Sequence, residues 1–400
     1  MNAFTLRARW VLPIDVPPIA GGYVSIADGR IAAISAVDPG TGPIEDLGDV
    51  VLLPGLINAH THLEFSTLAE PLGVRGMSLP EWIRLVIGDR KRGDRDAASA
   101  IARGLRESLA SGVTTIGEIA TSPAGLYTSA AAAPATVLFQ EAIGFSAGRV
   151  ESVFGEVERR LDEAPHPAGI SPHAPYTVHP RLLERLVQLA ASRGAPVAMH
   201  LAESREELEL LASGSGPFRE LLEERSMWDA RAIAPGSRPL DYLRRLAKAP
   251  RSLVIHGNYL AADEIEFIAQ RRERMSVVYC PRTHAYFGHE PYPLAAMRAA
   301  GVRVALGTDG RASNPDLSVL EEVRQVANRF PGVSPADALR MAMLDAAEAL
   351  GLAGDVGSLT VGKRADLVAI PINAAHADPY ESVLESVGEP RCVWLGGNRL

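Results

Sequence analysis

Two histidines one residue apart, His60-Thr61-His62, close an apolar run made of Val50 to Leu53 and then Leu56-Ile57. In a strand, residues i and i+2 share a face, so both imidazoles can meet one cation, although a buried, hydrogen-bonded His-x-His has the same spacing. Other apolar runs end in polar groups too: Glu118, Gln140-Glu141, Pro172-His173-Ala174, His200-Leu201-Ala202-Glu203, His256-Gly257-Asn258, Cys280-Pro281-Arg282-Thr283-His284 and Thr308-Asp309-Gly310. Five of the eight run ends carry histidine and one carries aspartate. A divalent ion held by His60, His62, His200 and Asp309 keeps a position for water, which is the pattern of a catalytic rather than a structural site. Water on such an ion ionises near neutrality. Asp309 can accept its proton, and His256 can orient or deprotonate it. Glu203 can carry a proton to a ring nitrogen of the substrate and then to a departing amine, the favoured reading; the other is a helix-start acid, because Ser204-Arg205-Glu206-Glu207 resembles a helix N-terminus. His173 is placed to hydrogen-bond the substrate. Cys280 reads as a small buried side chain. The only lysines are Lys91, Lys248 and Lys363, none at the end of the fourth run, so a bridging carbamylated lysine is not available there and one metal ion is expected. Zinc is the expected ion, and iron suits the same donors.

These residues converge only if the chain brings the run ends together. Strand-like runs recur near 53–58, 113–118, 136–140, 168–172, 197–200, 252–256, 276–280 and 302–307, separated by helical patterns such as Arg181 to Arg193. Helices close on Gly112, Gly194 and Gly301 directly before the next strand. Eight alternating units predict an α/β fold of the (β/α)8 barrel type, in which the carboxyl ends of all strands meet. An open doubly wound sheet is the alternative, but no Gly-x-Gly-x-x-Gly follows the first strand. The termini have a different texture, with short strands and tight turns at 5–11, 23–26 and 31–34 and again at 367–370 and 391–395. The expected division is therefore 1–53 and 366–400 as two parts of a small β-sandwich, with the barrel over 54–365. Segments 66–95 and 204–239 interrupt the alternation on the strand-to-helix side. Both are expected to wall or lid the pocket, with a solvated loop as the other reading of the second. Ala130 to Ala135 reads as helix or loop filler.

With 400 residues, 47% of them hydrophobic, the chain can bury a large core, and a net charge of −8 with no basic stripe argues against a nucleic-acid surface. A small-molecule substrate is expected instead. Two cysteines exclude a disulfide framework, and no apolar run approaches a membrane span, so a cytoplasmic location is expected. A homo-oligomer is compatible with the sequence.

Together, Pro54-Gly55-Leu56-Ile57-Asn58-Ala59-His60-Thr61-His62, Gly112-Val113-Thr114-Thr115, His200-Leu201-Ala202-Glu203, the His256 strand, Leu306-Gly307-Thr308-Asp309-Gly310 and Gly362-Lys363-Arg364-Ala365-Asp366-Leu367 resemble the amidohydrolase superfamily over essentially the whole chain. The resemblance is to its mononuclear branch, which contains the S-adenosylhomocysteine/methylthioadenosine, aminodeoxyfutalosine, guanine and cytosine deaminases and the triazine chlorohydrolases. It implies His60, His62, His200 and Asp309 as ligands of zinc or iron, Glu203 as proton shuttle and His256 as partner of the metal-bound water. Ser171 to Thr177 is similar to the segment whose histidine, here His173, contacts the purine. Leu79-Pro80-Glu81-Trp82 is similar to the segment whose glutamate, here Glu81, holds the ribose hydroxyls; Glu81 also reads as an ordinary helix-start acid. Trp82, Tyr176, Tyr286 and Phe287 offer flat surfaces for a heterocycle. The segment Cys280 to His289 departs from the S-adenosylhomocysteine deaminases. Arg282, His284 and His289 there read either as contacts to an anionic or aromatic substrate tail or as structural residues. The expected function is metal-dependent hydrolytic deamination of an aminated heterocycle, an adenosine derivative first. The alternatives are a free-base deaminase, a chlorohydrolase, a cyclic-amide hydrolase and a non-catalytic barrel.

Overall fold

A computed structural model describes residues 3–93, 96–128, 132–165, 167–373 and 377–400. Part of the alanine-rich stretch (Ala130 and Ala131) and the end of the first insertion (Arg95) lie outside the described residues. Eight parallel strands follow one another in sequence order: β1 Leu56–Thr61, β2 Val113–Ala120, β3 Ala135–Ala142, β4 Ala168–Pro172, β5 Val197–Leu201, β6 Ser252–His256, β7 Met275–Tyr279 and β8 Val304–Leu306. The ring closes by a parallel bridge between Thr61 and Asp309, so closure happens among the candidate site residues. The expected barrel is the observed one.

The alternation of each strand divides two cores. Val197, Met199 and Leu201 face the surrounding helices, whereas Ala198 faces inward with Ile57, Ala59, Val137, Phe139, Leu253, Ile255, Val278 and Ala305. Helix Leu344–Leu350 seals this interior from below with Ala346, Ala347, Ala349 and Leu350. The glycines expected to end helices do so: Gly194 and Gly301 take left-handed φ values of 65° and 81° after their helices.

The first apolar run is two strands rather than one. Val50–Pro54 belongs to a six-stranded sheet that also holds Leu367–Pro371 and Cys392–Leu395, and the chain then breaks at Gly55 to enter β1. A side chain at Gly55 would collide with Thr114, so only glycine lets the two sheets approach here. A four-stranded sheet from the first 46 residues faces the six-stranded one, and Leu6, Val24, Ile26, Leu52, Leu367 and Trp394 fill the space between them.

Both insertions are largely helical. The first carries α1 (Leu79–Arg92), and the second carries α2 (Arg205–Ser213) and α3 (Pro217–Glu224). No helix among the described residues is long and apolar enough to cross a membrane.

Candidate active site

At the carboxyl end of the barrel, Nε2 of His62 lies 3.4 Å from Nε2 of His200. Asp309 Oδ1 lies 3.6 Å from Nε2 of both His60 and His62. Nitrogen donors about 2.0–2.1 Å from one ion stand ~3.3 Å apart when tetrahedral, so this spacing suits a shared ion; ligand atoms of His60, His62 and His200 all lie within 4.8 Å of one another, with Asp309 beside two of them. Other contacts agree. Both ring nitrogens of His60 and Nδ1 of His62 are buried without a hydrogen-bond partner among the described residues. His200 Nδ1 donates to the His173 carbonyl at 2.9 Å, which leaves its Nε2 bare to face the cluster. Burial holds His60, His62 and His200 below the usual imidazole range, His200 at about 4, and neighbouring imidazoles push the same way. Neutral imidazole is the ligating form. Asp309 is oriented by Ser313, whose Oγ donates to Oδ2 at 3.0 Å.

Two of these donors are turned inward by irregular backbone. Ile57 and Ala59 already occupy the inward face of β1, so strict alternation would aim His60 and His62 outward; the ladder to β2 slips between Asn58 and Thr61 and re-aims them. Leu253 and Ile255 put His256 out of phase in the same way, and a left-handed φ of 66° at His256 turns it. Ala202 and Asp309 adopt φ of 54° and 58°. Such backbone costs roughly 1–3 kcal/mol at a non-glycine residue, and these three instances sit at or next to the cluster. Fixed contacts hold it: Tyr292 Oη donates to the His256 carbonyl at 2.9 Å, and Asp309 N donates to the His60 carbonyl at 3.1 Å.

Glu203 is buried beside the cluster, with Oε1 3.4 Å from His256 Nε2 and Oε2 3.5 Å from Tyr176 Oη. Burial, then the charges of Asp309 and Glu207, raise its carboxyl well above the usual range, which favours its protonated form. Its backbone is clamped twice. Asn258 Nδ2 donates to its carbonyl at 2.9 Å, and Glu207 accepts from Ala202 N and Glu203 N at 2.9 and 2.8 Å. Glu118 is also buried; both its oxygens accept from Leu63 N at 3.1 Å, which fixes the chain directly after His62.

The cluster lies at the bottom of a cavity of about 240 Å³. Of the residues expected to touch substrate, His173 and Trp82 line it, and Thr177 Oγ1 anchors His173 Nδ1 at 2.7 Å. Four do not line it, among them His289, whose Nδ1 lies 3.1 Å from Tyr259 Oη. Glu81 is exposed in the first turn of α1 and accepts from Ser78 Oγ at 2.7 Å. Arg282 is turned to Asp316 at 2.6 Å and Glu322 at 2.7 Å, with its side chain only 14% exposed. Two acids already satisfy that guanidinium, which corrects the expectation that it reads a substrate tail. His284 is likewise structural: buried, with Nε2 at 3.0 Å from the Glu290 carbonyl and its ring against Tyr279 and Tyr292. Of the aromatic residues, Tyr176 lines the cavity, whereas Tyr286 and Phe287 lie behind Trp82.

The second insertion, expected to wall or lid the pocket, walls it through Phe218, Leu221, Leu222 and Met227 of α3 and the turn after it, none of which the sequence reading singled out. Their apolar spacing within the second insertion was the available signal. Arg90, Glu141 and Arg225 are the charged lining residues outside the reaction centre. Burial raises Glu141, opposed by Arg90.

Three buried imidazoles and a carboxylate at the mouth of a (β/α)8 barrel, with a buried glutamate alongside, define a divalent-metal hydrolase. The chain belongs to the amidohydrolase family, whose pattern matches residues 51–400. It is 31% identical to a 5-methylthioadenosine/S-adenosylhomocysteine deaminase of Moorella thermoacetica, over 96% of this chain and 89% of that one. It is also 31% identical to an aminodeoxyfutalosine deaminase of Deinococcus radiodurans, over 75% of this chain and 73% of that one. Among solved structures it is similar to an adenosine deaminase from Xanthomonas campestris with bound zinc: TM-score 0.82, 26% identity, covering 100% of this chain and 92% of that one.

Proposed function

We propose that this protein is a hydrolytic deaminase of an adenosine derivative modified at the 5′ position, working with one divalent ion, zinc in the first instance. The observation that carries the reading is the convergence of Nε2 of His60 and His62 on Asp309 Oδ1 at 3.6 Å, beside a buried glutamate and at the bottom of a cavity with aromatic walls. The deaminases among its relatives and the zinc in the similar adenosine deaminase support substrate class and ion.

His60, His62, His200 and Asp309 would hold the ion, which when bound supplies Lewis-acid charge that lowers the pKa of coordinated water towards neutrality. Replacement of the amino group requires a proton on the ring nitrogen, a nucleophilic oxygen at the adjacent carbon and a second proton on the departing nitrogen. Glu203 in its protonated form, which burial favours, can deliver the first from its carboxyl oxygen; once ionised, it can take a proton from the attacking water and pass it to the amine, which leaves as ammonia, and then take the remaining hydroxyl proton as the ring carbonyl forms, ending protonated as it began. His256 Nε2 faces Glu203 Oε1, where it orients the water without itself carrying charge, because burial holds this imidazole well below its ordinary range. His173, Trp82 and Tyr176 surround the heterocycle. A panel of 5′-modified adenosines, followed by loss of the adenine ultraviolet band and by ammonia release, tests the proposal. Protein with one metal ion per chain that turns over none of them would sink it.

A further inference from the structure

We propose that Tyr176 is a positioning residue for the proton shuttle and that Phe218, on the wall helix α3, holds it in place; the inference rests on the deaminase reading above and extends it from Glu203 to the second insertion. The two carboxyl oxygens of Glu203 have different surroundings. Oε1 faces His256 Nε2 at 3.4 Å, and Oε2 faces Tyr176 Oη at 3.5 Å. Among the described residues the phenol has no other hydrogen-bond partner. Burial, then the charges of Glu203 and Glu207, raise it well above its ordinary range, so Tyr176 keeps its proton and is the donor throughout. An acid oxygen that accepts such a bond is the carbonyl oxygen, which leaves the transferable proton on Oε1, the oxygen on the His256 side. At 3.5 Å the bond is slack in the resting acid. Once Glu203 has given up its proton the phenol faces a carboxylate, and the charge-assisted bond is shorter and stronger.

The phenol reaches that oxygen because its ring is fixed on two sides. Tyr176 follows β4 in a tight turn, where Thr177 N and Val178 N both donate to the Ala174 carbonyl at 3.1 Å. Its ring meets the His173 imidazole edge to face at 5.9 Å, and the fully buried Phe218 ring stacks on it at 3.9 Å with 18° between the planes. Phe218 is the second residue of α3, and α3 is tied to α1 by Arg84, which holds Glu224 bidentately at 3.0 and 2.8 Å. A ring already held by stacking need not be ordered anew when its hydroxyl engages Glu203. The helix that walls the cavity thus reaches the reaction centre through one aromatic contact. A displacement of α3 moves Phe218, and the Tyr176 hydroxyl with it.

The test uses the metal-loaded enzyme and the best substrate of the 5′-modified adenosine panel, with Tyr176→Phe, Phe218→Leu and the double variant. Tyr176→Phe keeps the ring and its stacking, so KM should stay within about threefold while kcat falls about 10- to 100-fold. Phe218→Leu should lower kcat in the wild-type background and cause no further loss in the Tyr176→Phe background, because the contact it disturbs is already gone. Phe218→Met, which also lacks the ring, takes its place should Phe218→Leu fail to fold. Unchanged kcat in Tyr176→Phe, or equal losses from the Phe218 variant in both backgrounds, overturns the proposal. A readout independent of turnover is the set of carboxyl infrared bands that Glu203→Gln abolishes. These bands should shift in Tyr176→Phe, and bands that stay in place overturn the proposal. Should no nucleoside be deaminated, the functional reading fails on its own account, and the infrared comparison alone judges Tyr176.

Discussion

Replacing Glu203 by glutamine isolates the proton shuttle from everything else in the site. The substitution is nearly isosteric. The side-chain contacts at risk are those to His256 and Tyr176, at 3.4 and 3.5 Å, long enough that their loss costs under about 1 kcal/mol. The clamps on this residue from Asn258 and Glu207 engage its backbone and survive the change. None of His60, His62, His200 or Asp309 is altered, so metal content should stay at the wild-type stoichiometry. Turnover, by contrast, loses a group that both gives and takes a proton, for which two to four orders of magnitude in kcat is expected, equivalent to roughly 3–5 kcal/mol of barrier. The assay is steady-state deamination of the best substrate from the panel, with metal analysis and a melting curve on the same preparation. A folded, metal-replete Glu203→Gln enzyme within tenfold of wild type would refute the role given to Glu203.

Asp309→Ala and His200→Ala should each weaken metal binding by at least about tenfold, seen as substoichiometric metal after dialysis and loss of zinc-dependent thermal stabilisation. Unchanged metal content would show that the cluster is not the binding site. Gly55→Ala should destabilise by about 1–3 kcal/mol through its collision with Thr114. Thr114→Ala should recover part of that loss in a double-mutant cycle, and full additivity would contradict the contact. Burial pushes the Glu207 carboxyl from 4.5 up to about 7. Between those pH values the folded chain keeps a proton that the unfolded chain has released. Stability therefore falls as pH rises through this window and is flat on either side, by roughly 3 kcal/mol in all. The stability of wild type relative to Glu207→Gln, measured in urea at pH 5 and pH 8, should fall by about that amount; a constant difference argues against the buried proton.

The parts of this molecule that obey simple periodicity were the legible ones. Ala198 and His200 are two apart and face the same way, so β5 delivers its donor by plain alternation. His60, His62 and His256 break that rule, and no periodicity announces a ladder slip after Asn58 or a left-handed histidine at the end of β6. Polar residues at run ends pointed to them nonetheless, because chemistry marks a position even where geometry is irregular. Arg282 and His284 misled for the converse reason. They too follow a strand end, but their partners, Asp316, Glu322 and the Glu290 carbonyl, come from other turns of chain that sequence alone does not bring near. The wall of α3 was visible as an insertion but not as a surface, because which face of a short helix turns inward depends on what it packs against.

Helix Leu344–Leu350 stoppers the lower end of the barrel with alanine and leucine, so the reaction centre is a blind alley. On the proposed reaction, substrate and products therefore pass on the side where α1 and α3 supply the cavity walls, and the two helices that admit the one also bear on the departure of the others.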